Sequence, residues 1–240
     1  MSAVFTADLH LKLSGDPEHY RSFRDFLEHI SGKFSRLYIL GDLFAYWYEH
    51  PGVDLCSANP GLRALKDFSE SGHEVYFIYG NRDFTAGESF RRYSGVSFIG
   101  PELDITSGGK KIHLCHGDSL AKRDIRYRIW KALIRSRISL FVFSRLPVGA
   151  AVSLADTFKQ VGKNRKYAAE AVNVMAAAEA RKIIISRNID ALISGHTHLR
   201  HEESFQHRGR KRQVFILPEF SFPGDFLTLD KGKLSYERLG

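Results

Sequence analysis

Five short polar motifs, each placed directly after an apolar run, constrain this chain more than any other feature. The runs are AVFTA from residue 3, RLYIL from 36, EVYFIY from 74, KKIHLC from 110 and DALIS from 190. The motifs that follow them are DLH at 8, GDLF at 41, GNRD at 80, HGD at 116 and GHTH at 195. Runs this short, rich in Val, Ile, Phe and Tyr and bounded by Gly or Asp, predict buried strands. Helix-like segments, YRSFRDFLEHI and GLRALKDFSES, lie between the early runs, and strands alternating with helices predict an α/β layered fold. QVFIL and DFLTL read as further strands, and the tail FLTLDKGKLSYERL predicts a hairpin turning at Asp230 to Gly232. In open α/β sheets ligands bind beyond the carboxyl ends of the strands, so five motifs in that one position converge on one site.

Their spacing divides the chain. The steps from Asp8 to Asp42, Asn81 and His116 are 34, 39 and 35 residues, each the length of a βαβ unit. The next step, His116 to His196, is 80 residues, one crossover plus roughly 40 more. The span 119–187 therefore reads as an inserted, mostly helical cap beside the site, within a single domain covering 1–240.

The candidate ligands are Asp8, His10, Asp42, Asn81, His116, His196 and His198. They offer imidazole nitrogens and carboxylate or amide oxygens without a thiolate, which suits Mn, Fe, Zn, Co or Ni rather than a structural zinc knuckle. Seven groups exceed one four-coordinate ion and suit two ions about 3.5–4 Å apart that share a carboxylate. Residues i and i+2 of an extended chain point the same way, so Asp8 with His10, and His196 with His198, can face one cluster. Gly41, Gly80, Gly117 and Gly195 permit the turns that aim them. Taken singly, a histidine after a strand is ordinarily a hydrogen-bonded surface residue, a GD pair is a turn, and Asp83 and Asp118 are helix caps. The ordered series of five outweighs those separate readings. His113, out of phase with His116, reads as structural. His19, His29, His50, His73, His201 and His207 read as surface residues.

D-x-H, GD, GN, H-G and GHTH in this order resemble the calcineurin-like metallophosphoesterases, and the resemblance runs through the whole chain. It implies a β-sandwich flanked by helices, with the seven ligands holding two divalent ions, most commonly Mn²⁺, and Asp42 shared between them. Narrower stretches, YILGDLFAYW, YFIYGNRDF and HGDSLAKRDIRY, resemble the branch of that family that serves lipid A synthesis by hydrolysing the pyrophosphate of a lipid-bearing uridine nucleotide. That likeness implies a lipid-nucleotide substrate, catalytic roles for Asp42, Asn81, Arg82 and His116, and substrate contacts at Asn81, Arg82, Asp124, Tyr127, Lys166 and His196. The chain departs from the pattern in places. YEHPGVD follows GDLFAYW where an acidic run is usual, and ILPEFSFPGDF replaces a segment that usually bears glycine and tryptophan.

Many members of the superfamily carry GNHD, whose histidine can protonate an alkoxide leaving group; this chain has GNRD. Arginine stays protonated at neutral pH and is a poor general acid. A pyrophosphate expels a phosphate monoester, already a stable anion, so Arg82 favours P–O–P cleavage. The bland alternative pairs Arg82 with Asp83 or Asp124.

The net charge of +8 favours anionic partners, and its placement says more than its size. Eight basic residues and one acid lie between Lys122 and Arg145, interleaved with Trp130, Leu133, Ile134, Ile138, Leu140, Phe141, Val142, Phe143 and Leu146. At helical spacing this forms an apolar stripe beside a basic face. It reads as a core-packed helix, as an acyl-chain chamber whose basic rim rests on anionic lipid, or as a nucleic-acid surface. LFVFSRLPVGAAV is more apolar than a nuclease groove requires, which makes nucleic acid the weaker partner. Two cysteines, far apart, form no disulfide framework. The N-terminus carries no basic segment followed by a long apolar one, and no stretch reaches the roughly 20 apolar residues of a membrane span. The expectation is a soluble cytoplasmic enzyme touching the inner membrane peripherally. The alternatives are a phosphodiesterase or nuclease acting on another nucleotide or nucleic acid, and a non-catalytic scaffold of the same fold.

Overall fold

A computed structural model describes residues 2–13, 16–50, 53–120, 133, 136–147, 149–150 and 169–238. Among them run β1 (Ala3–Thr6), α1 (Pro17–Ile30), β2 (Arg36–Leu40), α2 (Pro60–Glu70), β3 (Glu74–Ile78), α3 (Glu88–Ser94) and β4 (Phe98–Gly100). There follow β5 (Glu102–Ser107), β6 (Lys110–Cys115), α4 (Arg137–Arg145), α5 (Ala169–Arg187), β7 (Ala191–Ser194), β8 (His201–His207), β9 (Arg210–Ile216), β10 (Asp225–Asp230) and β11 (Lys233–Arg238).

The strands form two sheets, in the orders β11-β10-β1-β2-β3-β4 and β5-β6-β7-β9-β8. β1 to β4 are parallel, as are β6, β7 and β9, while β10, β11, β5 and β8 add antiparallel edges. Because both faces of each sheet are covered, the central strands are apolar without alternation. Along β2, Leu37 and Ile39 face outward onto a core shared with α1, α2 and α3. Tyr38 and Leu40 face inward, where they meet Ile112, Leu114, Ile193 and Phe215 of the second sheet. The outer face of that sheet, Leu192, Val214 and Ile216, is covered by Ala176, Ala177, Ala180 and Ile184 of α5. The result is a β-sandwich flanked by helices.

Local signals set the helices. Asp16 caps α1 by accepting from the His19 amide, Pro17 opens the first turn, and Phe23, Phe26, Leu27 and Ile30 make the buried stripe. Asn59 and Pro60 do the same for α2, with Asn59 accepting from the amides of Gly61 and Leu62. The predicted C-terminal hairpin is β10–β11.

The steps to Asp42 and Asn81 are right-placed βαβ units, but the 35-residue step to His116 is not. It leaves the first sheet through α3 and β4 and enters the second through β5 and β6. The 80-residue step is a parallel crossover from β6 to β7 in which α5 is the packed helix. Of the rest of 119–187, α4 and a few neighbours belong to the described residues. On α4 the apolar side chains of Ile138 (77% exposed), Phe141 (59%) and Val142 (52%) face outward, which is not the packing of a core helix. Phe143 instead stands edge-on to Tyr48 and His50, and His50 Nε2 lies 3.0 Å from the Leu146 carbonyl oxygen. His50 is therefore buried, contrary to its reading as a surface residue. The tertiary contact with α4 covers it.

Candidate metal centre

The five motifs leave the carboxyl ends of β1, β2, β3, β6 and β7, three in one sheet and two in the other. The site therefore straddles the open end of the sandwich. Loop 8–11 runs beside loop 41–45, tied by backbone bonds from Asp8 to Gly41, His10 to Asp42 and Leu11 to Leu43. A bond from the Gly195 amide to the His116 carbonyl ties the second sheet's motifs together. The two halves are joined where the His196 amide donates to Asp8 Oδ2 at 2.7 Å.

The backbone that aims the ligands is not extended. Asp8, His10, Asp42, His196 and His198 all have left-handed φ, between 52° and 75°. Asp and His tolerate that region better than most residues, and its cost concentrates at functional sites. The i, i+2 pairing predicted from extended geometry does occur, through paired left-handed residues instead. Gly195 is required for close approach. A Cβ there would lie 2.5 Å from Ala7 Cβ and 2.6 Å from Asp8 Oδ2. Gly41 combines a φ of 89° with contact against the His116 ring.

Two groups of donors result, each with its ligand atoms within 4.8 Å of one another: Asp8, His10 and His198, and Asp8, Asp42 and His116. In the first, His10 Nε2 and His198 Nε2 are 3.1 Å apart, and His198 Nε2 is 3.5 Å from Asp8 Oδ1. Beside the second, His116 Nε2 lies 3.2 Å from Asn81 Oδ1 and 3.1 Å from His196 Nδ1. The seven sequence-predicted ligands are thus brought together. Asp8 takes part in both groups, and Asp42 in the second, whose His116 also meets Asn81 and His196.

Arg82 joins them. Its backbone amide donates to Asp42 Oδ1 at 3.0 Å, its Nε stands 3.3 Å from Asp42 Oδ2, and its Nη1 donates to the Ala45 carbonyl. Among the described residues the acid beside it is Asp42, not Asp83. Asp83 is no helix cap either. It is fully buried and accepts from the amides of Gly80, Leu43 and Asp42, clamping the GDLF and GNRD loops together. An acid three residues after Gly80 was the only sequence signal for that role. Glu49 fastens the neighbouring loop to the start of α3, accepting from the amides of Gly87 and Phe90. Nothing in the sequence pattern marked it. His113 is buried against Asp104, in keeping with a structural part. Asp124, Tyr127 and Lys166 lie outside the described residues.

The electrostatics suit a cation. Burial is the largest influence on Asp8 and acts to raise its pKa. The close approach of the His198 imidazole and the charges of His116, His198 and His196 outweigh it, and the carboxyl is held below its usual range. Burial pushes Asp42 the other way, upward, with the like charge of Asp8 adding to it and His116 opposing. Burial lowers His10 to about 4, so its imidazole is neutral, the form that ligates metal. Asp8 Oδ1 is buried without a hydrogen-bond partner. Adjacent buried carboxylates, an orphaned carboxylate oxygen and facing imidazole nitrogens are the donor set that a divalent ion satisfies.

Fold and site together define a metal-dependent phosphoesterase. The chain belongs to the calcineurin-like phosphoesterase family, whose model matches residues 1–200, and it is a metal-dependent hydrolase. A UDP-2,3-diacylglucosamine hydrolase of Stenotrophomonas maltophilia is 33% identical, over 100% of this chain and 99% of its own. The protein of that name from Pseudomonas aeruginosa is 29% identical, over 96% of this chain and 95% of its own. Among solved structures, an archaeal phosphodiesterase aligns over the full length of both chains at 14% identity with a TM-score of 0.48. Among the described residues no helix is long and apolar enough to cross a membrane.

Proposed function

We propose that this chain hydrolyses the pyrophosphate of UDP-2,3-diacylglucosamine to UMP and 2,3-diacylglucosamine 1-phosphate, using two Mn²⁺ ions. The observation that carries this reading is Arg82, a permanent cation in the ligand cluster at the position where a proton donor would serve an alkoxide leaving group. Asp8, His10, Asp42, Asn81, His116, His196 and His198 would hold the ions. When bound, such ions supply Lewis acidity and the means to make a water nucleophilic near neutral pH. Arg82 places its guanidinium against the non-bridging oxygens of the phosphate under attack, stabilising the charge that develops there. Asp42 orients Arg82 from both of its oxygens. Asn81 and His196, which both lie against His116, are further phosphate contacts in this reading.

Full-length likeness to two proteins named for this substrate supports the headgroup. The outward Ile138, Phe141 and Val142 of α4 support a lipid-facing cap in 119–187, with basic residues beside them for the anionic cytoplasmic face of the inner membrane. Asp124, Tyr127 and Lys166 are the further substrate contacts in this reading.

Purified enzyme incubated with Mn²⁺ and UDP-2,3-diacylglucosamine should release UMP, with the oxygen of labelled water found in the UMP. No turnover, or equal turnover of a simple phosphodiester or single-stranded DNA, would overturn the assignment in favour of a broader phosphodiesterase.

A further inference from the structure

The segment after β9 is a sixth strand-end element at the site, and no motif marked it. β9 ends at Ile216, and the Leu217 amide then donates to the Ser194 carbonyl at 2.6 Å. Pro218 follows, and the next two residues cross the mouth of the sandwich. The Glu219 amide donates to the His198 carbonyl at 3.2 Å, and the Phe220 amide to the Asp8 carbonyl at 3.4 Å. One short strap is thus fastened to a ligand loop of each sheet.

The side chain of Glu219 reaches the same histidine that its backbone holds. Glu219 Oε2 lies 3.6 Å from His198 Nδ1, while His198 Nε2 turns inward to His10 and Asp8. The ring therefore presents one nitrogen to the cluster and the other to a carboxylate. His116 shows the same division with a different acceptor. Its Nε2 faces Asn81 and His196, and its Nδ1 lies 2.8 Å from the Leu40 carbonyl oxygen. An oxygen on the outer nitrogen fixes both the tautomer and the orientation of a ligating imidazole.

We infer that Glu219 is a positioning residue for His198, holding its Nδ1–H so that Nε2 points at the metal centre. The inference rests on the metal-centre reading above and goes beyond it, since Glu219 belongs to none of the five motifs. It stands in the ILPEFSFPGDF segment, where this chain departs from the family pattern. Its side chain is half exposed, so truncating it opens no hole in the core.

The test is calorimetric titration of Mn²⁺ into metal-stripped full-length protein, comparing wild type, Glu219→Ala and Glu219→Gln, with melting temperatures recorded before metal is added. Wild type should take up two ions. Glu219→Ala should bind one of them about 10- to 100-fold more weakly, the usual cost of losing an outer partner of a ligand. Its metal-free melting temperature should be unchanged. Glu219→Gln keeps an oxygen acceptor for Nδ1–H and should recover most of the affinity. Wild-type affinity in Glu219→Ala would overturn the inference. So would equal losses in both variants, or a metal-free melting temperature that falls in step with affinity, which marks a structural role. Wild type binding no Mn²⁺ at all would overturn the metal-centre reading itself, a separate result.

Discussion

The amide of His196 donates to Asp8 Oδ2 across the mouth of the sandwich at 2.7 Å, joining a residue that follows β1 to one that follows β7. Asp8 therefore has two tasks. One oxygen pins the sheets together, and the other, Oδ1, is buried without a hydrogen-bond partner and faces His198.

Removing that carboxylate should cost more metal than removing its neighbour. Asp8 takes part in both donor groups and Asp42 in one. Asp8→Ala should retain neither ion, and Asp42→Ala should retain one, beside His10 and His198. Both should lose turnover by at least about a hundredfold, since even an outer partner of a ligand costs up to that much. Elemental analysis of the two purified variants checks this. Loss of both ions from Asp42→Ala would return the shared role to Asp42.

Arg82 should matter to turnover and not to metal content. Its guanidinium contacts Asp42 and Ala45 without supplying a ligand atom. Arg82→Ala should keep its ions and lose roughly 10²- to 10³-fold in kcat, the cost of one preorganised donor to a developing oxyanion. Arg82→Lys should recover little of it, because a point charge does not reproduce the planar fork. Turnover measured beside metal content separates this role from a structural one.

Gly195→Ala should damage the site from the backbone. The new Cβ would lie 2.5 Å from Ala7 Cβ and 2.6 Å from Asp8 Oδ2. Overpacking of this kind costs about 1–3 kcal/mol, readable as a lowered urea midpoint. Metal occupancy should fall with it, because the displaced carboxylate is Asp8. An unchanged midpoint with full occupancy would show that loop 195–198 relaxes freely.

Neither cysteine should react in the folded protein. Cys56 and Cys115 are both buried. Burial, with Glu49 and Asp54 nearby, pushes the Cys56 thiol up to about 12, leaving almost no thiolate at pH 8. A colorimetric thiol reagent should find none in native protein and two after denaturation. Fast labelling of the native state would contradict this burial.

The sequence by itself determined the family, the strands, and the strand ends that carry the candidate ligands. Those signals are local: an apolar run of fixed length, a polar motif at its end, and residue types whose donor atoms suit a divalent ion. Asp8, His10, Asp42, Asn81, His116, His196 and His198 were legible as candidates for that reason. Tertiary structure alone decided that the motifs come from two facing sheets, because a 35-residue step looks the same whether it returns to its own sheet or crosses to another. It also decided the left-handed backbone at five ligand positions, the clamp by Asp83, the burial of His50 under α4, and the strap that sets Glu219 against His198. Each of these is a contact between segments with no shared period or motif, and pattern along a chain carries no record of which distant backbone will lie 3 Å away.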